Sequence, residues 1–181
     1  MRTEIVERLT APGGGTPLQV ASIIERQERD IIHGMLFSPE QGLYPIREGI
    51  LNLLPQGAGL LSPAQKSNQL WPTAQFYERP WRSNTLTVFS GQLFPFSREQ
   101  PIFYEMLGDL AGGLWLDLAA STALYGRWLA PRLLSNQGEV IVLDYAWPMM
   151  RRARHFVTQE GHPNISFVLA RAEGLPFATG S

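Results

Sequence analysis

The chain has 181 residues, enough for one ordinary domain, and its 44% hydrophobic content is that of a folded globular protein. Its 15 basic and 16 acidic side chains nearly balance, which argues against a partner that is a nucleic acid or an anionic membrane. Cysteine is absent, which excludes disulfides and thiolate zinc sites. Because the sequence shows neither an export signal nor a long apolar run, we expect a cytoplasmic protein.

The N-terminal third divides at a run of glycines and prolines. Residues 1–17 end in APGGGTP, which disfavours regular structure, so we predict a flexible arm there. In residues 18–55, short apolar clusters flank a turn-like sequence at 38–42 and predict a small β-rich module. An amphipathic helix over residues 19–29 is the alternative, since several apolar residues there also lie at helical spacing.

The middle of the chain connects this module to a more regular region. Residues 56–75 are rich in Gly, Pro, Ser, Asn and Gln and are typical of a linker. Aromatic side chains are concentrated in residues 76–110, where we predict a helical cap. From 111 to 181, apolar runs of strand length alternate with helical stretches, and this β-α-β-α-β order predicts a parallel sheet covered on both faces.

Three segments of residues 111–181 carry a family resemblance. They are LWLDLAASTALYGRWLA, GEVIVLDYAWPMMRRARHF and NISFVLARAEGLPFATGS. In this order they resemble the first half of a class I S-adenosylmethionine-dependent methyltransferase, closest to the small-molecule branch that includes quinone methyltransferases. The resemblance implies a Rossmann-like α/β sheet whose first three parallel strands are present, S-adenosylmethionine as cofactor, and a small-molecule methyl acceptor.

The first turn departs from the family pattern. After the strand that carries Asp117 the family usually has Gly-x-Gly-x-Gly, whereas this chain has Ala119, Ser121 and Ala123. Glycine permits positive φ and a close approach of the backbone to the cofactor, and each added side chain intrudes on the ligand. Cofactor binding is therefore open, and a non-catalytic relative that serves as a binding or assembly module is the alternative to an enzyme. No catalytic residue can be assigned.

The resemblance assigns further cofactor contacts to the ends of the next two strands. Asp144 would accept hydrogen bonds from both ribose hydroxyls, beside Tyr145, and Met149 would flank the adenine ring. Glu173 would receive the adenine amino group, next to a backbone contact at Ala172. Asp144 as a helix cap and Met149 as core filler are the alternatives.

Two segments before the sheet resemble parts of the same branch. In FYERPWR, the side chains of Tyr77, Trp81 and Arg82 would cover the acceptor, unless the aromatic rings only pack the cap onto the sheet. SPEQGLYPIREGILNLLP resembles the second half of a zinc-ribbon-like segment, but Ser38 and Gln41 stand in the places of the metal-binding cysteines. We therefore expect no metal.

The sheet of the family normally has seven strands, and this sequence ends after the third. We therefore expect either a piece of a longer protein or a partner chain. The strand that ends near Asp117 would be an edge, which a second copy in a homo-oligomer or another partner would cover. A dinucleotide oxidoreductase is disfavoured, because the Gly-x-Gly-x-x-Gly turn is missing.

Overall fold

The computed structural model describes residues 1–55 and 61–181, which form a mixed seven-stranded sheet with helices. The strands are β1 (Gln19–Gln27), β2 (Asp30–Ser38), β3 (Gly42–Arg47), β4 (Ile50–Asn52), β5 (Leu114–Leu118), β6 (Glu139–Asp144) and β7 (Ile165–Leu169). The helices are α1 (Thr3–Val6), α2 (Pro63–Asn68), α3 (Trp71–Phe76), a π-helical segment (Tyr77–Arg82), α4 (Ser83–Ser90), α5 (Phe96–Leu107), α6 (Leu124–Leu134) and α7 (Trp147–Glu160). Among these described helices, none has the length and apolarity to cross a membrane.

The sheet has the strand order β1-β2-β3-β4-β7-β6-β5. Strands β1 to β4 form an antiparallel meander, so the alternative of a helix over residues 19–29 is wrong. Strands β5, β6 and β7 are parallel, as the alternating pattern predicts. The meander is joined to them because β4 pairs in parallel with β7, with Ile50 opposite Phe167. The β-rich segment therefore extends the parallel sheet and is not a separate module.

The two faces of the sheet are buried against different parts of the chain. Along β6, Val140 and Val142 pack in a cluster with residues of α6 and α7, such as Leu133 and Met150. Ile141 alternates with them and packs in a second cluster on the opposite face. This alternation follows from the period of two along a strand, and it leaves a face that α6 and α7 do not cover.

The N-terminal segment covers that second face, which corrects the prediction of a flexible arm over residues 1–17. Met1, Ile5 and Leu9 are each less than 5% exposed and pack on the sheet. The glycine-rich run closes into a loop, in which Leu18 N–H donates to the Leu9 carbonyl over 2.8 Å. The apolar residues before the glycines are held because their burial removes them and the sheet face from water.

Helices also replace much of the predicted linker over 56–75. Residues 56–60 lie outside the described residues, but α2 and α3 follow. Helix α2 begins with a capping box, in which the Ser62 hydroxyl accepts from Gln65 N–H and the Gln65 side chain accepts from Ser62 N–H. This signature of a helix start outweighs the Pro and Gln content on which the linker prediction rested. Residues 76–110 consist mainly of the π-helical segment, α4 and α5.

Candidate functional site

The turn that follows β5 has an unusual backbone. Ala119, Ser121 and Ala123 have φ angles of 58°, 50° and 58°, in the left-handed region. These are the three positions where the resembling family has glycine, and left-handed φ is costly for residues that carry a Cβ. The turn thus keeps a glycine-type conformation with the glycines replaced.

The side chains of Ala119, Ser121 and Ala123 differ in their burial. Ala123 is fully buried in the cluster formed with α6 and α7, so its methyl group belongs to the core. This corrects the expectation that all three side chains intrude on ligand space. Ala119 is exposed and Ser121 is half-buried. Only these two side chains remain on the accessible side of the turn.

Asp144 ties the turn to the end of β6. One oxygen of its buried carboxylate accepts from Ser121 N–H over 2.8 Å, and the other accepts from Ala146 N–H over 2.9 Å. Burial raises the pKa of Asp144, and hydrogen bonds from Ala146, Ser121 and Tyr145 oppose that rise. Because both oxygens accept backbone hydrogen bonds, Asp144 organises the turn, and a ribose would have to share its remaining lone pairs.

Asp117 lies one strand away and meets the start of α6. Its carboxylate accepts from Gly126 N–H over 2.8 Å, which satisfies an amide in the first turn of the helix. A Cβ at Gly126 would approach this carboxylate to 3.0 Å and Val142 Cγ1 to 2.8 Å, so the close packing requires glycine. Burial raises the pKa of Asp117 to about 6, with the Gly126 hydrogen bond lowering it and Asp144 raising it.

The cap contributes a residue that the sequence analysis missed. Glu78 accepts from the Thr122 hydroxyl over 3.0 Å and receives two hydrogen bonds from Arg127, each 2.9 Å long. Arg127 also donates to the Thr122 carbonyl over 3.2 Å. Glu78 is in the quoted segment FYERPWR, between two predicted acceptor contacts, but only the fold brings it to the turn after β5.

Two predicted site residues after β6 have different environments. The Tyr145 hydroxyl donates to the Gln65 carbonyl in α2 over 2.9 Å, which attaches α2 to this end of the sheet. Met149 is fully buried beside Ala74 and Ala146. Its side chain fills the core, the alternative that the sequence left open, and it does not present an edge to a ligand.

The segment after β7 is bound to the N-terminal segment and not to the turn. Glu173 is 75% exposed and lies 3.8 Å from Arg171, and Ala172 is exposed as well. Within residues 1–55 and 61–181, no hydrogen bond or ion pair joins Glu173 to Asp144. The Pro176 carbonyl accepts from Thr10 N–H over 2.9 Å. The Leu-Pro-Phe sequence therefore anchors residues 1–17 in this structure.

The predicted acceptor contacts separate into two groups. Tyr77 and Trp81 line a largely apolar cavity of about 550 Å³ together with residues of α2 and α3. Arg82 is not in its lining, because its guanidinium donates to both carboxylate oxygens of Glu99, over 2.6 and 2.9 Å, and to the Tyr125 hydroxyl. Arg82 therefore joins the π-helical segment to α5 and α6, and it does not lie with Tyr77 and Trp81 in this cavity.

Ser38 and Gln41, in the places of the zinc-ribbon cysteines, have structural contacts. Ser38 is buried at the end of β2, and the Gln41 side chain donates to the Pro12 carbonyl over 3.3 Å. Among the described residues, no group of three or more His, Cys, Asp or Glu side chains is placed to hold a metal ion.

Comparisons with known proteins find two similarities. Residues 116–181 match the family described as "Methyltransferase domain". No curated protein matches the chain. Among solved structures, a SAM dependent methyltransferase from Aquifex aeolicus is 18% identical, with a TM-score of 0.42, over 56% of this chain and 47% of that chain. The chain thus spans about half the length of that structure, and from β5 onward its sequence is similar to a methyltransferase domain.

Proposed function

We propose that the chain binds S-adenosylmethionine at the turn after β5 as part of a methyltransferase that acts on a small molecule. The observation that carries this proposal is the left-handed backbone at Ala119, Ser121 and Ala123. A turn that had lost every use would be expected to relax to φ angles that alanine and serine prefer, since each left-handed residue costs about 1–2 kcal/mol. Retention of the strained conformation supports a ligand at this turn.

The residues around the turn are compatible with this cofactor. The exposed side of the turn offers backbone next to Ala119 and Ser121, and Asp144 lies beside it, since its carboxylate accepts from Ser121 N–H. When bound, the cofactor supplies an electrophilic methyl group on a sulfonium. The contribution of the protein is to hold the two reactants in line, so orientation and not a charged catalytic group carries the reaction.

The cavity lined by Tyr77 and Trp81 is our proposed acceptor site. It lies between α2, α3 and the π-helical segment, and Tyr145 attaches α2 to the sheet; the aromatic rings fit a flat, mainly apolar molecule. Arg82 is engaged by Glu99, so the proposed acceptor does not depend on an anionic group.

Calorimetric titration of the intact chain with S-adenosylmethionine tests this function. We expect saturable binding, and tighter binding by the Ala119→Gly, Ser121→Gly double variant, because both substitutions remove side chains on the accessible side of the turn. Gln137→Gly is the matched control, since Gln137 also has a left-handed φ, 55°, but lies in the loop before β6. No heat from either the wild-type chain or the double variant would disprove cofactor binding.

A non-catalytic module is the second candidate, favoured by the hydrogen bonds of Asp144. Both carboxylate oxygens already accept backbone amides, so the acid has a structural role without any cofactor. In that case the double variant gains stability but no affinity. A binding isotherm that is absent in both chains, together with a more stable variant, supports this candidate over the enzyme.

We also propose that a second copy of the chain covers the outer edge of β5. In the described part of the chain β5 pairs only with β6, and Leu114, Leu116 and Leu118 are 38%, 38% and 44% exposed. An open edge with exposed leucines is a template for pairing with another strand. Sedimentation velocity is expected to show a dimer that Leu116→Lys converts to a monomer, and a monomeric wild-type chain would contradict this proposal.

A further inference from the structure

A second cleft lies beside α7. It has a volume of about 560 Å³ and opens between α7, helix α3 and the β1–β2 hairpin. None of its lining residues belongs to the turn after β5 or to the cavity that Tyr77 and Trp81 line. The basic side chains of Arg151, Arg152 and Arg154 enter it from α7.

Within residues 1–55 and 61–181, Arg154 lines this cleft without a hydrogen-bond or ion-pair partner, and Arg152, which also has none, instead lies over the ring of Phe156. Asp30, Glu48 and Glu25 attract Arg154 through space, but burial dominates and lowers its pKa. A guanidinium stays protonated at any physiological pH, so a charge partly removed from water is left without an acceptor.

The backbone of the β3–β4 turn holds this guanidinium in place. A Cβ built on Gly49 would lie 2.7 Å from Arg154 Nη1 and 2.8 Å from its Cζ, so a side chain at position 49 would displace the group. Gly49 also has a φ of 71°, which favours glycine. The guanidinium is positioned by packing against main chain, and its N–H groups remain available.

These donors are also accessible. Arg152 Nε is shut off from solvent without a hydrogen-bond partner, whereas no nitrogen of Arg154 is in that state. Arg154 lines this cleft and also an adjoining cavity of about 840 Å³, with which the cleft shares Ile32 and Thr158. A ligand in the cleft can therefore reach Arg154.

The carboxylates of the cleft do not cancel this charge. Glu48 pairs with Arg151 over 2.8 Å, and Glu25 lies 3.7 Å from His33. The lining has three arginines against two glutamates, which leaves one positive charge in excess while the histidines are neutral. His155 also lines the cleft, and His33 and His155 add positive charge when they are protonated.

We propose that this cleft binds an oxyanion, the phosphate or carboxylate group of a small molecule, with Arg154 as its principal donor. The planar guanidinium offers two parallel N–H groups to two oxygens, a geometry that both anions fit. The site is distinct from the proposed cofactor site, because its lining includes no residue of the turn after β5.

The experiment is a titration of the intact chain with inorganic phosphate and, separately, with malonate, followed by the indole N–H resonance of Trp71, which lines the cleft. We expect a saturable shift with at least one of the two anions. Arg154→Gln should weaken that binding by about ten-fold or more, the loss expected for a charge-assisted hydrogen bond. Arg47→Gln, an exposed arginine of β3 outside the cleft, should leave it unchanged within about two-fold.

The two anions distinguish the source of the oxyanion. Saturation by phosphate alone assigns a phosphorylated ligand, and saturation by malonate alone assigns a carboxylate. Arg154→Lys keeps the charge and the fold but loses the fork, so it is expected to bind several-fold more weakly than the wild-type chain. A linear shift with both anions, or equal affinities of the wild-type chain and both Arg154 variants, would overturn the proposal.

Discussion

Glu78 and Thr122 join the cap to the turn after β5, through a hydrogen bond of 3.0 Å between the Glu78 carboxylate and the Thr122 hydroxyl. The same carboxylate receives two hydrogen bonds from Arg127, whose side chain is 5% exposed. One acid of the π-helical segment thus fixes both the turn and the helix that follows it. The remaining ion pair of Arg127, with Glu160, is 3.1 Å long and involves a side chain that is 40% exposed.

Replacement of Glu78 by alanine is expected to lower the free energy of unfolding by about 3–5 kcal/mol, because Arg127 keeps its charge in a buried place without its main partner. Urea unfolding followed by circular dichroism measures this loss. Thr122→Val is the matched control, since it removes only the hydroxyl and should cost about 1 kcal/mol. Equal losses for the two variants would show that the Glu78–Arg127 pair is not what stabilises the turn.

Glycine at the strained positions should stabilise the fold. Ala119→Gly is expected to raise the free energy of unfolding by about 0.5–1 kcal/mol, because relief of left-handed strain exceeds the extra entropy of glycine in the unfolded chain. Ala123→Gly should gain less, since its buried methyl group contributes about 0.8 kcal/mol that is lost.

Gln137→Gly controls for the backbone effect outside the candidate site. It should raise the free energy of unfolding by about as much as Ala119→Gly does. Thermal unfolding of the three variants side by side gives the order. Destabilisation by Ala119→Gly would indicate that the left-handed φ of that residue is not a source of strain.

The alternation of strands and helices after residue 111 was predictable because each apolar run has the length of a strand and is bounded by polar residues. The sequence did not predict that residues 1–17 cover the second face of the sheet. Ile5 and Leu9 precede a glycine run that locally disfavours structure, and their burial is favourable only because the sheet face formed by Ile141 and its neighbours would otherwise be open to water. That requirement arises between distant parts of the chain and has no local signal.

The sequence predicted where the residues of the candidate site lie along the chain, but not which side chains contact one another. The resemblance identified the turn at Ala119 and the acids Asp117 and Asp144, since it fixes their order along the chain. The position of Glu78, 44 residues before Thr122, depends on how the cap packs. Glu173 shows that a motif match does not fix a contact. The match assigned it to the adenine, but its side chain is 75% exposed and, in the described part of the chain, makes no hydrogen bond to the turn.

Asp117 should make stability depend on pH in the acidic range. Its pKa is about 6 in the folded chain, against an ordinary value of 3.8, so its contribution is fully present below pH 4 and is lost as pH rises through 6. Asp117→Asn keeps an acceptor for Gly126 N–H but does not ionise. Relative to the wild-type chain, the variant should gain up to about 3 kcal/mol between pH 4 and pH 7, and a difference that is constant with pH would contradict the raised pKa.

The amino group of Met1 should make the free energy of unfolding depend on pH with the opposite sign to Asp117, and at higher pH. It donates to the carbonyls of Ile31 and Gly49 over 3.1 and 2.8 Å, and burial lowers its pKa from 8.0 to about 6, with Asp30 opposing that shift and Arg154 adding to it. Its contribution is therefore fully present above pH 8 and is lost as pH falls through 6, by up to about 3 kcal/mol. A chain extended by Gly-Ser before Met1 should be less stable at pH 8 and lack this slope. Matching pH profiles of the two chains would mean that the amino group is not buried as the structure shows.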